Sequence, residues 1–116
     1  MKDFMLLFIG ADYSDLGLSP EEIQQRMGKW FAWDEKMTAA GVTIKGGEAL
    51  HAPVRRVAGP ERIVTDLASS EVKELVGGYY IVRAADLEGA TAIAQDFPDY
   101  DLGSMVEIRE IVVFDQ

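Results

Sequence analysis

An α+β fold, with an antiparallel sheet carrying two helices on one face, is what this sequence predicts. Three observations predict it. Phe4–Ile9 is an unbroken apolar run, Ser19-Pro20-Glu21-Glu22 is a strong helix start, and a second strand–helix–strand unit runs from Tyr79 to the last residues. The length of 116 residues fits one domain spanning 1–116.

The first strand is apolar at every position from Phe4 to Ile9, where alternation would mark a strand with one wet face. The run predicts burial on both faces. Residues 10–18, with Gly10, Asp12, Ser14, Asp15 and Gly17, form a loop. In the helix that follows, Ser19 caps, Pro20 takes the first helical position and Glu22 closes a capping box. Gly41 stops it after about Ala40. Ile23, Met27, Trp30, Phe31 and Met37 fall on one side at helical spacing.

Val42–Lys45 alternates and predicts a one-sided strand, interrupted at Gly46-Gly47. Glu48–Pro53 is a connection. Val54–Val57 and Arg62–Thr65 are hairpin arms around Ala58-Gly59-Pro60-Glu61, and Leu67–Glu74 is a loop with a helical turn. Gly77-Gly78 leads into a strand over Tyr79–Arg83. Asp86 caps a second helix from Leu87 to about Asp96, with Leu87, Ala90, Ile93, Ala94 and Phe97 on its apolar side. Met105–Phe114 is the last strand.

The order β-α-β, hairpin, β-α-β is that of a ferredoxin-like antiparallel sheet with both helices on one face. The other face stays open in one subunit, yet the first strand is apolar on both. Leaving large apolar side chains bare costs roughly 1.5–3 kcal/mol each, so a symmetric second copy is the expected cover.

Eleven Lys and Arg against 20 Asp and Glu leave a net charge of −9. So acidic a surface repels phosphate backbones and anionic lipids, and neither nucleic acid nor membrane is an expected partner. Arg55, Arg56 and Arg62, the nearest thing to a basic cluster, fit a solvated hairpin surface. There is no cysteine, hence no disulfide or thiolate metal site. The apolar run of six residues is too short for a signal-peptide core or a membrane span, so the expected location is cytoplasmic. Neither glycine pair has the spacing of a phosphate loop, and one histidine with scattered carboxylates makes no metal site. No cofactor is expected.

The sequence resembles the YCII-related family, which includes members named for an Asp-Gly-Pro-Phe motif. The resemblance runs through Lys29-Trp30-Phe31-Ala32-Trp33, Ala39-Ala40-Gly41-Val42, and Gly46-Gly47-Glu48-Ala49-Leu50 followed by Pro53. It continues through Val64-Thr65-Asp66, then Glu74 with Gly77-Gly78-Tyr79-Tyr80-Ile81, and Asp86-Leu87-Glu88 with Ala90. It implies a ferredoxin-like fold assembled as a dimeric α/β-barrel. Some relatives look like muconolactone isomerases, and one branch carries a proposed His–Asp active site. Where the named motif would fall, this chain has Asp66-Leu67-Ala68-Ser69, and its first helix has no histidine.

The candidate site residues are few. His51, the one histidine, is a candidate general acid or base, against the plainer reading of an exposed loop residue beside Pro53. Asp66 is a candidate base or hydrogen-bond acceptor, against a turn residue. Asp34 projects onto the apolar stripe of the first helix, where a carboxylate is paired, at a cavity edge, or functional. Trp30 and Trp33 line either a pocket or the core or dimer interface. Tyr80, Arg83 and Arg55 would hold an anion if they share a cavity. Two functions remain open. One is a binder of a small polar or anionic metabolite, with isomerase- or lyase-like proton transfer if it is an enzyme. The other is a non-catalytic dimeric binding or interaction module.

Overall fold

The computed structural model describes residues 1–114. The strands are β1 (Lys2–Ile9), β2 (Thr43–Lys45), β3 (Val54–Ala58), β4 (Ile63–Leu67), β5 (Val76–Ala84) and β6 (Met105–Glu110), and the helices are α1 (Pro20–Ala39) and α2 (Leu87–Gln95). Short 3-10 turns occupy Tyr13–Asp15, Ser69–Glu71 and Pro98–Leu102. Four strands form an antiparallel sheet in the order β2-β5-β1-β6, and β3 and β4 pair as a separate ribbon. This is the ferredoxin-like arrangement that the element order predicts.

Strand alternation divides the sheet. Phe4 and Leu6 on β1 and Tyr80, Val82 and Ala84 on β5 are buried on one face. There they meet Trp33 and Met37 of α1, Ala90 and Ala94 of α2, and Phe97. Val106 and Ile108 of β6 complete that layer. On the opposite face Met5 pairs with Ile81 and Leu7 with Tyr79, all four partly buried, and an Asp3–Arg83 ion pair borders them. β1 is therefore fully buried on one side only within a single chain.

The capping box of α1 forms as its residues predict. Ser19 Oγ accepts from the Glu22 amide and Glu22 Oε1 from the Ser19 amide, both at 3.1 Å. Gly41 adopts a φ of 73°, the left-handed conformation that ends a helix. The buried stripe differs from the expected one. Trp33 and Met37 are covered, while Met27 and Phe31 stay 47% and 56% exposed, because the first half of α1 overhangs a cavity instead of the sheet. Leu87 of α2 is likewise exposed.

β6 stops at Glu110, not at Phe114. Glu110 pairs with Phe4, and the Ile111 amide donates to the Asp3 carbonyl at 2.8 Å. In this register Val112 falls opposite Lys2, where β1 begins, so Val113 and Phe114 have no strand left to pair with, and Val112 and Phe114 are exposed. β5, by contrast, starts earlier than expected and includes Gly77 and Gly78. The segment after β2 lies directly on it. Leu50 donates its amide to the Gly77 carbonyl at 2.8 Å, and the Tyr79 amide donates to the Glu48 carbonyl at 3.1 Å. The stretch expected to be a plain connection is thus partly a continuation of the sheet edge. Gly78 makes this possible, since a Cβ there would stand 2.7 Å from the Glu48 carbonyl oxygen.

Candidate functional site

A cavity of about 320 Å³ opens where α1 overhangs the end of the sheet. Its floor is Phe8 and Ile9 at the end of β1 together with the start of β5. Met27, Trp30 and Phe31 of α1 form one wall, and the Glu48–Ala52 segment forms the other. The Gly10–Tyr13 loop, Phe97, Asp99 and Ser104 close the remaining side. Most of this surface is apolar or aromatic. Phe8 and Phe97 stack with ring centres 4.4 Å apart, and Trp30 stands edge-on to both Phe31 and Tyr80.

The polar groups on the lining include Asp12, Tyr13, Glu48, His51, Asp99 and Ser104. Tyr13 and Asp99 come from loops 86 residues apart, and the Tyr13 hydroxyl donates to Asp99 Oδ2. Asp99 is 5% exposed and its Oδ1 has no hydrogen-bond partner. Burial, reinforced by the neighbouring Asp99, pushes the Tyr13 phenol well above its ordinary value. Arg26 stands behind Asp99, with Nη1 3.8 Å from Oδ1, but donates both guanidinium nitrogens to Asp101 at 2.6 Å each.

Two of the residues singled out from sequence lie on the cavity. His51 and Trp30 line the cavity. Asp34 lies deeper, accepting from the Tyr80 hydroxyl, which also meets Thr43 Oγ1 at 3.0 Å. Burial, then this carboxylate, raises the Tyr80 phenol. The placement of Asp34 on the sheet-facing side of α1 is thus explained by a phenol partner. Asp66 and Arg55 face each other across the β3–β4 ribbon as an exposed bidentate pair at 2.7 and 3.0 Å, and hydrogen bonding to Arg55 lowers the Asp66 carboxyl. Arg83 lies on the opposite sheet face from Tyr80, paired with Asp3 at 3.1 Å. Tyr80, Arg83 and Arg55 therefore do not share a cavity. Alternation puts adjacent β5 residues on opposite faces, and the ribbon is separate from the main sheet.

A YCII-related domain model matches residues 4–115. The chain belongs to the YCII-related family. No curated protein matches the sequence. In this family member the segment Asp66–Ser69 starts on β4 and runs into the Ser69–Glu71 turn, and none of its residues is on the cavity lining. Asp12, Tyr13, Glu48 and Asp99 were not singled out from sequence. Asp12 and Tyr13 sit in a polar loop, and Asp99 follows the proline that ends α2, where an Asp is unremarkable. Only the pairing of two distant loops makes them one feature. Among the described residues no group of three or more His, Asp or Glu side chains is placed to hold a metal, and no helix is long and apolar enough to cross a membrane.

Proposed function

We propose that this YCII-related protein is a homodimeric small-molecule-binding protein whose ligand occupies the cavity beneath the first half of α1. The observation that carries this reading is the cavity itself. It combines aromatic walls with a handful of polar groups, the usual make-up of a metabolite site, and its volume lies at the low end of the range of about 300–1,000 Å³. His51 is on its lining and is the candidate general acid or base there, beside the carboxylates of Asp12, Glu48 and Asp99. Asp66 is engaged by Arg55 away from the cavity, and this favours binding over a His51–Asp66 proton relay.

The homodimer is supported by surface left over. The chain exposes 8117 Å², where a compact monomer of this size exposes about 6,300 Å². Its radius of gyration is 15.9 Å, against about 13 Å for a compact chain of this length. Val57, Ile63 and Val64 on the ribbon and Val112–Phe114 beyond β6 are exposed, and the outer sheet face presents Met5, Leu7 and Ile81. A standard interface removes about 800 Å² per partner, which this excess accommodates.

A thermal-shift screen of small metabolites tests the binding reading, since a ligand at a hundred times its Kd stabilises the folded state by about 2.7 kcal/mol. Hits should raise the Tm of the wild type and lose that effect in Leu50→Trp, which adds bulk on the lining. A screen without hits, or hits that shift the variant equally, would sink it.

A further inference from the structure

We propose that the β3–β4 ribbon is an arm exchanged between two copies of the chain: its apolar tip seats on the cavity mouth of the second copy, so that each site is closed by the other chain. The inference rests on the homodimer reading above and adds what the ribbon of each copy covers.

The ribbon stands off its own chain. Among the described residues β3 and β4 pair with each other and with no strand of the main sheet. Only Val54 and Leu67, at the root, are partly buried. A two-stranded hairpin alone in water is marginally stable, so this one needs a cover. The register sets Val57 opposite Val64 on one face of the tip and Ala58 opposite Ile63 on the other. The tip is thus apolar on both faces, and Val57, Ile63 and Val64 are all more than half exposed. Five-residue strands carry that tip about 17 Å from the root.

The root fixes where the arm starts. Ala52 and Leu75, on either side of the ribbon segment, both line the cavity, whereas no residue from Pro53 to Glu74 does. The ribbon therefore leaves from the rim of its own cavity and covers none of it. That rim carries a matching surface: Met27, Phe31 and Leu50 are on the lining and each about half exposed. Because root and rim adjoin, a single two-fold axis beside them places each copy's tip on the other's rim. The exposed Val112–Phe114 segment follows β6 at the opposite end of the sheet, since Ile9 at the cavity pairs with Met105, and Phe4 with Glu110. Charge favours the same partner. Arg55, Arg56 and Arg62 outnumber Glu61 and Asp66, so the ribbon is net positive on a chain of net charge −9, and the acidic body of a second copy attracts it.

The chain has no cysteine, so introduced thiols report this contact alone. Chains carrying Ile63→Cys and Phe31→Cys, co-expressed and treated with a short bismaleimide, should give a covalent heterodimer, and neither variant alone should crosslink. Leu50→Cys serves as a second rim position. Ile63→Cys with Val113→Cys, or with Met5→Cys, tests the last apolar segment and the outer sheet face as landing places. Ile63→Asp with Val64→Asp, both at exposed positions, should raise the dimer Kd at least about tenfold in sedimentation equilibrium. The same variant should increase acrylamide quenching of tryptophan, since Trp30 lines the cavity while Trp33 is buried. A wild-type dimer that crosslinks through Val113 or Met5 instead of the rim, or whose Kd or quenching is unmoved by the Asp pair, overturns the arm exchange and leaves the dimer and the binding cavity standing. A wild type that is monomeric overturns it together with the homodimer.

Discussion

Gly47 lies against the backbone of Tyr79: a Cβ at position 47 would fall 1.3 Å from the Tyr79 carbonyl oxygen and 2.9 Å from the Tyr80 Cα. The wall of the cavity formed by Glu48–Ala52 depends on this approach, because the Glu48 carbonyl and Leu50 amide bond to β5 directly afterwards. Gly47→Ala should therefore cost at least about 2 kcal/mol, a Tm drop on the order of 10 °C. Gly46 has open space around it, and Gly46→Ala should change stability by less than about 0.5 kcal/mol. Equal effects from these neighbours in a urea titration would show that the close approach is not formed.

The Tyr80 hydroxyl links β5 to Asp34 of α1 and Thr43 of β2. Tyr80→Phe removes both bonds inside the core and should cost about 1–2 kcal/mol, whereas Asp34→Asn keeps an acceptor and should cost under about 1 kcal/mol. A double-mutant cycle should give a coupling above about 0.5 kcal/mol. Strict additivity would mean that Asp34 and Tyr80 do not meet.

Stability should fall at alkaline pH. Burial raises the phenols of Tyr13, Tyr80 and Tyr100 above their ordinary value of 10.0. A raised folded-state pKa means that the fold favours the protonated phenol. This contribution is whole below about pH 10 and is lost as pH climbs towards the raised values, because the unfolded chain ionises first. Urea titrations between pH 8 and 12 should show the decline, and Tyr13→Phe should flatten it. Identical slopes for wild type and variant would remove Tyr13 from the account.

On the outer sheet face, Leu7 stands between Tyr79 and Glu107 in the strand register. If a second copy covers this face, Leu7→Lys should convert the dimer to a monomer in sedimentation equilibrium, and Gln25→Lys, exposed on α1, should leave it intact. A wild type that sediments as a monomer at high concentration would overturn the proposed assembly.

Much of the fold was legible because it is written in local terms. The Ser19 capping box, the Gly41 stop, the Asp86 cap and the alternation of β5 each act within a few residues, and each formed. The errors fell where a partner decides. Val112 and Phe114 continue the alternation of β6, but the strand ends at Glu110 because its partner β1 begins at Lys2, opposite Val112. Periodicity puts Met27 and Phe31 on the apolar side of α1, yet both are exposed, because periodicity gives a direction and not what lies in it.

The sequence by itself determined the order of elements, the faces of the strands and the family, since periodicity, caps and turn residues constrain the backbone locally. Tertiary structure alone decided the site. Tyr13 meets Asp99 across 86 residues, Glu48–Ala52 becomes a wall only by lying on Gly77–Tyr79, and Asp66 is drawn away by Arg55. A cavity is the space left where distant segments fail to fill one another, and no single segment carries a record of it.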